Sequence, residues 1–191
     1  MEKIDPKLTD RIRDHLLDMG YDSLHNYIVP GLVSTLIGED PHASAKIRLF
    51  RNTRVQDEFI TPHSHRFDLA CVVLQGSVEN TIFEAVPYPN HHSETYSDEY
   101  QVSRLLYEGN PGKYDKADTV VQRYSRFANT YKPGQWYFLK FDQIHSIKFS
   151  KDAIVLVFEG DSKTDTTTVL EPRVNGSTIR TFKVEDWMFK P

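Results

Sequence analysis

Thr61-Pro62-His63-Ser64-His65-Arg66-Phe67-Asp68, running on into Leu69-Ala70-Cys71-Val72-Val73-Leu74-Gln75-Gly76, is the stretch on which the reading turns. Its second half is short, apolar and rich in β-branched residues, the composition of a strand. Side chains at i and i+2 of an extended chain share a face, so His63 and His65 point to one side. A second stretch, Lys132-Pro133-Gly134-Gln135-Trp136-Tyr137-Phe138-Leu139-Lys140-Phe141-Asp142-Gln143-Ile144-His145, offers a further imidazole. With His145 the set becomes facial, the arrangement that leaves open positions on an iron-type metal. A lone His-x-His pair in a β protein is often two surface or hydrogen-bonded histidines. The second segment is what favours a metal.

Working outward, residues 46–50, 69–74, 78–83, 119–127, 135–139, 145–149 and 153–158 read as strands separated by turn residues. Many short strands at this spacing suggest a sandwich or barrel. Ahead of them, residues 9–20 read as a helix with an apolar stripe of Ile12, Leu16, Leu17 and Met19, stopped at Gly20. Residues 21–45 read as mostly irregular, broken by Pro30-Gly31, Gly38 and Pro41. A polar stretch from Pro87 to about Asp118 interrupts the strands as a surface excursion, a lid over the barrel mouth or a dimer arm. It contains His91-His92, but adjacent side chains of an extended chain point apart. Beyond Gly160, residues 161–168 read as a polar loop, followed by short strands around an Asn175-Gly176 turn. Trp187, Met188 and Phe189 are expected to dock on the barrel or on a second copy in a homodimer.

The two histidine segments resemble the two motifs of the cupin superfamily. His63, His65 and Gly76 fall in register with the first motif, and Gly134 and His145 with the second. The opening glycine of the first motif is Asp57 here, and Leu69 stands at its glutamate. Lys140, Asp142 and Phe149 replace the proline, glycine and asparagine of the second. A cupin with three histidine ligands and no glutamate resembles the thiol dioxygenases, cysteine dioxygenase among them. Leu74-Gln75-Gly76-Ser77-Val78-Glu79-Asn80-Thr81-Ile82-Phe83-Glu84 is similar to that group's strand-turn-strand. The resemblance implies a jelly-roll-like double-sheet β-barrel, mainly all-β, with a lead-in over 1–45, a barrel over 46–160 with its insert at 87–118, and an extension over 161–191. It also implies His63, His65 and His145 as ligands to Fe(II), or alternatively Zn, Mn or Ni, and a small-molecule substrate with O2.

Composition excludes other classes. At 191 residues the chain suits one domain with a real core. Its net charge of −4 argues against a nucleic-acid partner or a basic membrane patch. No run approaches the roughly 18 apolar residues of a spanning helix. Met1-Glu2-Lys3-Ile4-Asp5 lacks a signal peptide's apolar stretch, and the single Cys71 cannot form an intrachain disulfide, so a cytoplasmic setting is expected.

Candidates for the pocket follow from strand parity. Leu69, Cys71 and Val73 are expected inside the barrel, with Cys71 a small buried hydrophobe. Asp68, one place short of the missing glutamate, either swings in as a fourth ligand, caps the turn or pairs with Arg66. Arg48, Arg51, Arg123 and Arg126 are the anion-binding candidates, since a guanidinium fork matches two carboxylate oxygens. Arg48 is expected at solvent by default. Trp136 and Tyr137 sit on alternate faces of the second motif, and one of them lines the pocket. Arg48 and Tyr137 are taken as the candidate catalytic residues. The expected activity is a metal-dependent oxygenase, an Fe(II) dioxygenase adding O2 to a small thiol or related small acid. Two alternatives stay open: a non-oxidative metal-dependent isomerase, lyase or hydrolase, and a non-catalytic cupin that only binds a small ligand.

Overall fold

Turn residues cut the chain into one helix, α1 (Pro6–Asp18), and strands β1 (Ser23–His25), β2 (Leu32–Glu39), β3 (Lys46–Asn52), β4 (Phe67–Gln75), β5 (Val78–Ala85), β6 (Asp98–Tyr107), β7 (Tyr114–Tyr131), β8 (Trp136–Leu139), β9 (Ile144–Phe149), β10 (Ile154–Ser162), β11 (Thr166–Val174) and β12 (Ser177–Thr178). The computed structural model describes residues 3–42, 44–56, 59–86, 98–107, 114–174 and 177–178. The strands form two six-stranded sheets, ordered β1-β2-β3-β10-β4-β8 and β12-β11-β6-β7-β5-β9. Every pairing is antiparallel. The expected all-β, double-sheet class with an N-terminal helix is the architecture found.

Parity divides the first sheet into two faces. Leu69, Cys71 and Val73 of β4, Tyr137 and Leu139 of β8 and Val155 and Val157 of β10 join Val78, Ile147 and Phe149 of the second sheet in one core. The alternate residues Val72 and Leu74, with Leu49 and Ile154, form a second layer on the outside. Ile4, Ile12 and Leu16 cover that layer, so α1 is bound by apolar burial. Leu17 and Met19, expected in the same stripe, are exposed instead. The helix also begins earlier than expected, because Asp5 caps it by accepting from the Lys7 amide and Pro6 occupies a first-turn position.

Three expectations need correction. Residues 21–45 hold β1 and β2, because the breakers fall at boundaries: Pro30-Gly31 lies in the turn before β2, and Gly38 sits at a shift of register opposite Ile47. Residues 98–107 and 114–118 of the supposed excursion are strand, with β6 and β7 paired from Asp98↔Tyr124 to Tyr107↔Tyr114. The supposed polar loop over 161–168 is divided between the end of β10 and the start of β11, where a run of β-branched threonines pairs with β6. Asp57, His91-His92, the Asn175-Gly176 turn and Trp187, Met188 and Phe189 lie outside the described residues.

Residues 60–64 join the two flanks of the second sheet. The Ile60 amide donates to Ile147 of β9, and the Leu170 amide of β11 donates to Pro62. His63 pairs with both His145 and Val169. The sheet therefore curls until β9 and β11 meet across this segment.

Candidate metal centre

The backbone around the histidines is tied down before their side chains are considered. His63 and His145 exchange both amide-to-carbonyl bonds, each 2.9 Å. The Ser64 amide donates to Thr168, the Thr168 amide to Ser64 Oγ, and the His65 amide to Phe141. Two glycines of the motif segments fix the neighbouring turns. Gly76 has φ +70°, and a Cβ there would lie 2.9 Å from Ala153 Cα. Gly134 has φ +80°, and a Cβ would lie 2.6 Å from the Ile4 carbonyl oxygen. Only glycine fits either place at low strain.

Held this way, His63, His65 and His145 turn one nitrogen each into a common space, all within 4.8 Å of one another. The Nε2 atoms of His65 and His145 are 2.9 Å apart. Two nitrogens about 2.1 Å from one metal and near a right angle apart lie about 3 Å from each other, so the spacing fits a shared ion. The far nitrogens are engaged: His63 Nδ1 with the Thr61 carbonyl and His145 Nδ1 with Asn80 Oδ1, both at 2.7 Å. A carbonyl-type oxygen only accepts, so each Nδ1 carries the hydrogen and each Nε2 keeps its lone pair free. Burial lowers the pKa of His63, and lowers those of His65 and His145 well below the usual value, helped by the neighbouring imidazoles. The three are therefore neutral at neutral pH, as metal ligands must be.

No carboxylate belongs to this group among the described residues. Leu69, at the place of the motif's glutamate, is buried in the core. Asp68 is engaged elsewhere, accepting from the Phe141 amide at 2.9 Å and from Lys163 Nζ at 2.6 Å. These bonds hold its carboxyl below the usual range.

The other sequence candidates are dispersed. Arg48 stands opposite Val157 on the inner face of the first sheet, a correction to its expected solvent position. It donates to Glu159 at 2.9 Å and to Ser34 at 3.4 Å, and lies over the Tyr27 ring. Tyr137 lies inside, paired with Cys71 and packed on Tyr131, whereas Trp136 lies outside against Phe138 and Phe158. None of these partners of Arg48 or Tyr137 is a histidine of the cluster. Arg126 meets Asp98 at the surface. Burial pushes the Cys71 thiol up to about 12, which makes it inert. Asn80 is the residue that sequence reasoning missed. Its signal was there, since an amide between Val78 and Ile82 breaks an apolar alternation on one strand face.

No protein-family model and no curated protein matches this sequence. Solved structures similar to it include the Streptomyces albus HEPD with 2-hydroxyethylphosphonate and Fe(II) bound, at 10% identity and TM-score 0.45, covering 75% of this chain and 25% of that one. KdgF from Halomonas sp. is similar at 14% identity and TM-score 0.41, over 75% of this chain and 91% of that one. An RmlC-like cupin from Shewanella frigidimarina is similar at 11% identity and TM-score 0.42, over 78% and 90%. Likenesses this low say nothing about substrate or reaction.

Proposed function

We propose that His63, His65 and His145 hold Fe(II), and that the protein is a cupin oxygenase that adds O2 to a small thiol or a related small carboxylic acid. The observation that carries this is the convergence of three neutral imidazoles with no carboxylate of the described residues among them. Bound there, Fe(II) supplies its full positive charge, open coordination positions and an affinity for soft thiolate sulfur.

The chain's own residues supply the rest. The Thr61 carbonyl and Asn80 fix the tautomers of two ligands and raise their basicity. Register places Val169 opposite His63 and Ser103 opposite Val169, with Thr167 on the same face of β11. The hydroxyls of Ser103 and Thr167 are buried without a hydrogen-bond partner among the described residues, and in this reading they receive the polar end of the substrate. For Arg48 to take a substrate carboxylate, its ion pair with Glu159 has to open.

Elemental analysis of protein loaded with ferrous iron, beside a His145→Ala variant, is the first test. Stoichiometric iron lost in the variant, followed by oxygen uptake with small thiols, is the expected result. Imidazole also suits zinc and nickel. Preferred binding of either at the same residues, with turnover that needs no O2, would replace the oxygenase by a non-oxidative enzyme. Stoichiometric iron in the variant would overturn the ligand assignment.

A further inference from the structure

Strands β5 and β9 present the histidine side of the second sheet with one set of residues and a cavity with the other. His145 and Ile82 face each other on the first side; Ser146 and Thr81 face each other on the second. Behind Thr81 and Ser146 lies a cavity of about 590 Å³. All the elements that follow one another around the curled sheet contribute to it, from residues 59–62 through β5, β6, β7 and β9 to Pro172 of β11. Its size falls in the range of small-molecule sites.

Phe59, Pro62, Phe83 and Pro172 form the apolar part of its walls, and Phe83 meets Tyr100 edge to face at 5.6 Å. Set into these walls are four hydroxyl residues that are more than nine-tenths buried: Ser146 at 2%, Thr61 at 3%, Tyr100 at 5% and Thr81 at 7% exposure. Of these hydroxyls, Thr61 Oγ1 is buried with no hydrogen-bond partner among the described residues. Buried hydroxyls normally find a partner, and an unpaired one in a cavity lined by three more points to a ligand that brings its own. Two charged residues of opposite sign, Glu79 and Arg126, belong to the lining, which favours a neutral one. Arg126 is matched by Asp98 at 3.3 Å, and Glu79 stands opposite Lys148.

We propose that this cavity is a second binding site, separate from the three-histidine centre, for an uncharged aromatic molecule with a hydroxyl group, of the phenol class. The ring occupies the space between Phe83, Tyr100 and Pro172, where edge-to-face contact is available. The ligand hydroxyl bonds to the Thr81–Ser146 pair, one residue along the chain from Asn80 and His145 respectively. Nothing in this assignment depends on a metal.

p-Cresol titrated into the full-length, metal-free protein, followed by amide chemical shifts, tests it. Saturable shifts centred on Thr81, Ser146 and Tyr100 are expected, with toluene binding about five-fold more weakly for want of one hydrogen bond. Thr81→Val combined with Ser146→Ala should erase the preference for p-cresol over toluene. Ala128→Trp, placed opposite Thr81 on β7, should fill the cavity and abolish both. Shifts centred instead on Ile82 and Phe127, an unchanged preference in the double variant, or no saturable binding would overturn the proposal. The double variant carries the test if Ala128→Trp does not fold. Because the protein is metal-free, none of these results bears on the iron reading.

Discussion

Two polar clusters of this barrel are enclosed in opposite ways. Arg48 and Glu159 are complementary: a cation and an anion 2.9 Å apart, each side chain at least 85% covered, each answering the other. His63, His65 and His145 are alike: three neutral rings whose inner nitrogens converge, with the outer nitrogens of His63 and His145 hydrogen-bonded. A closed pair offers nothing to a ligand and stabilises one arrangement of the strands. A set of like lone pairs gathered in one place is complete only when something electron-poor joins it. The difference separates structural burial from a site, and five substitutions can break or sharpen it.

The largest effect is expected at His145. Replacing it by alanine leaves two of the three proposed ligands, and metal affinity should fall by more than the 10–100-fold typical of losing a supporting partner. Competition with a fluorescent chelator measures it; retained affinity would put the ion elsewhere. Next comes the ion pair. Arg48→Met strands a buried carboxylate and should cost about 3 kcal/mol in urea unfolding, whereas Arg48→Met with Glu159→Leu should recover most of it. Equal losses in the single and double variants would show that the pair is not closed.

The same pair has a pH signature. Burial outweighs the attraction of Arg48 and raises the Glu159 carboxyl above its usual range. The folded state therefore holds its proton more firmly than the unfolded chain does. That stabilisation is full below the ordinary glutamate pKa and is lost as pH rises through the raised one. Thermal melts of metal-free protein should show this decline, and the double variant should lack it.

Smaller still is Asn80→Ala. The fold should persist while metal affinity drops about 10–100-fold, because His145 loses the partner that fixes its tautomer. An unchanged affinity would mean that the Asn80 contact is only packing. Asp68→Asn should have the least effect, a slight fall in Tm near neutral pH that vanishes in acid. Its lowered carboxyl stabilises above the unfolded pKa and ceases to do so as pH falls through the folded one. Metal content should not move; if it falls, Asp68 is a ligand after all.

Legibility tracked local chemistry. The strand after the histidines could be read because Leu69, Cys71 and Val73 alternate cleanly against Val72 and Leu74, and the structure puts them in two different layers. β2 was hidden by Gly38, and β11 by the polarity of Thr166, Thr167 and Thr168, although threonine's branched Cβ favours a strand. β6 was obscured by the Pro- and Ser-rich run before it. In each case turn-like composition outweighed a pairing with a distant partner that sequence does not display.

By itself the sequence determined the class of fold, the two segments that bring imidazoles together and the missing carboxylate, because these rest on alternation and spacing within short stretches. Only the tertiary structure decided that Asn80 and Thr61 hold the rings, that Arg48 is committed to Glu159, and that a hydroxyl-lined cavity lies behind the histidines. Those facts depend on which strands become neighbours and on which face each residue falls. Strand pairing between distant segments is set by the whole core and leaves no mark on any one of them.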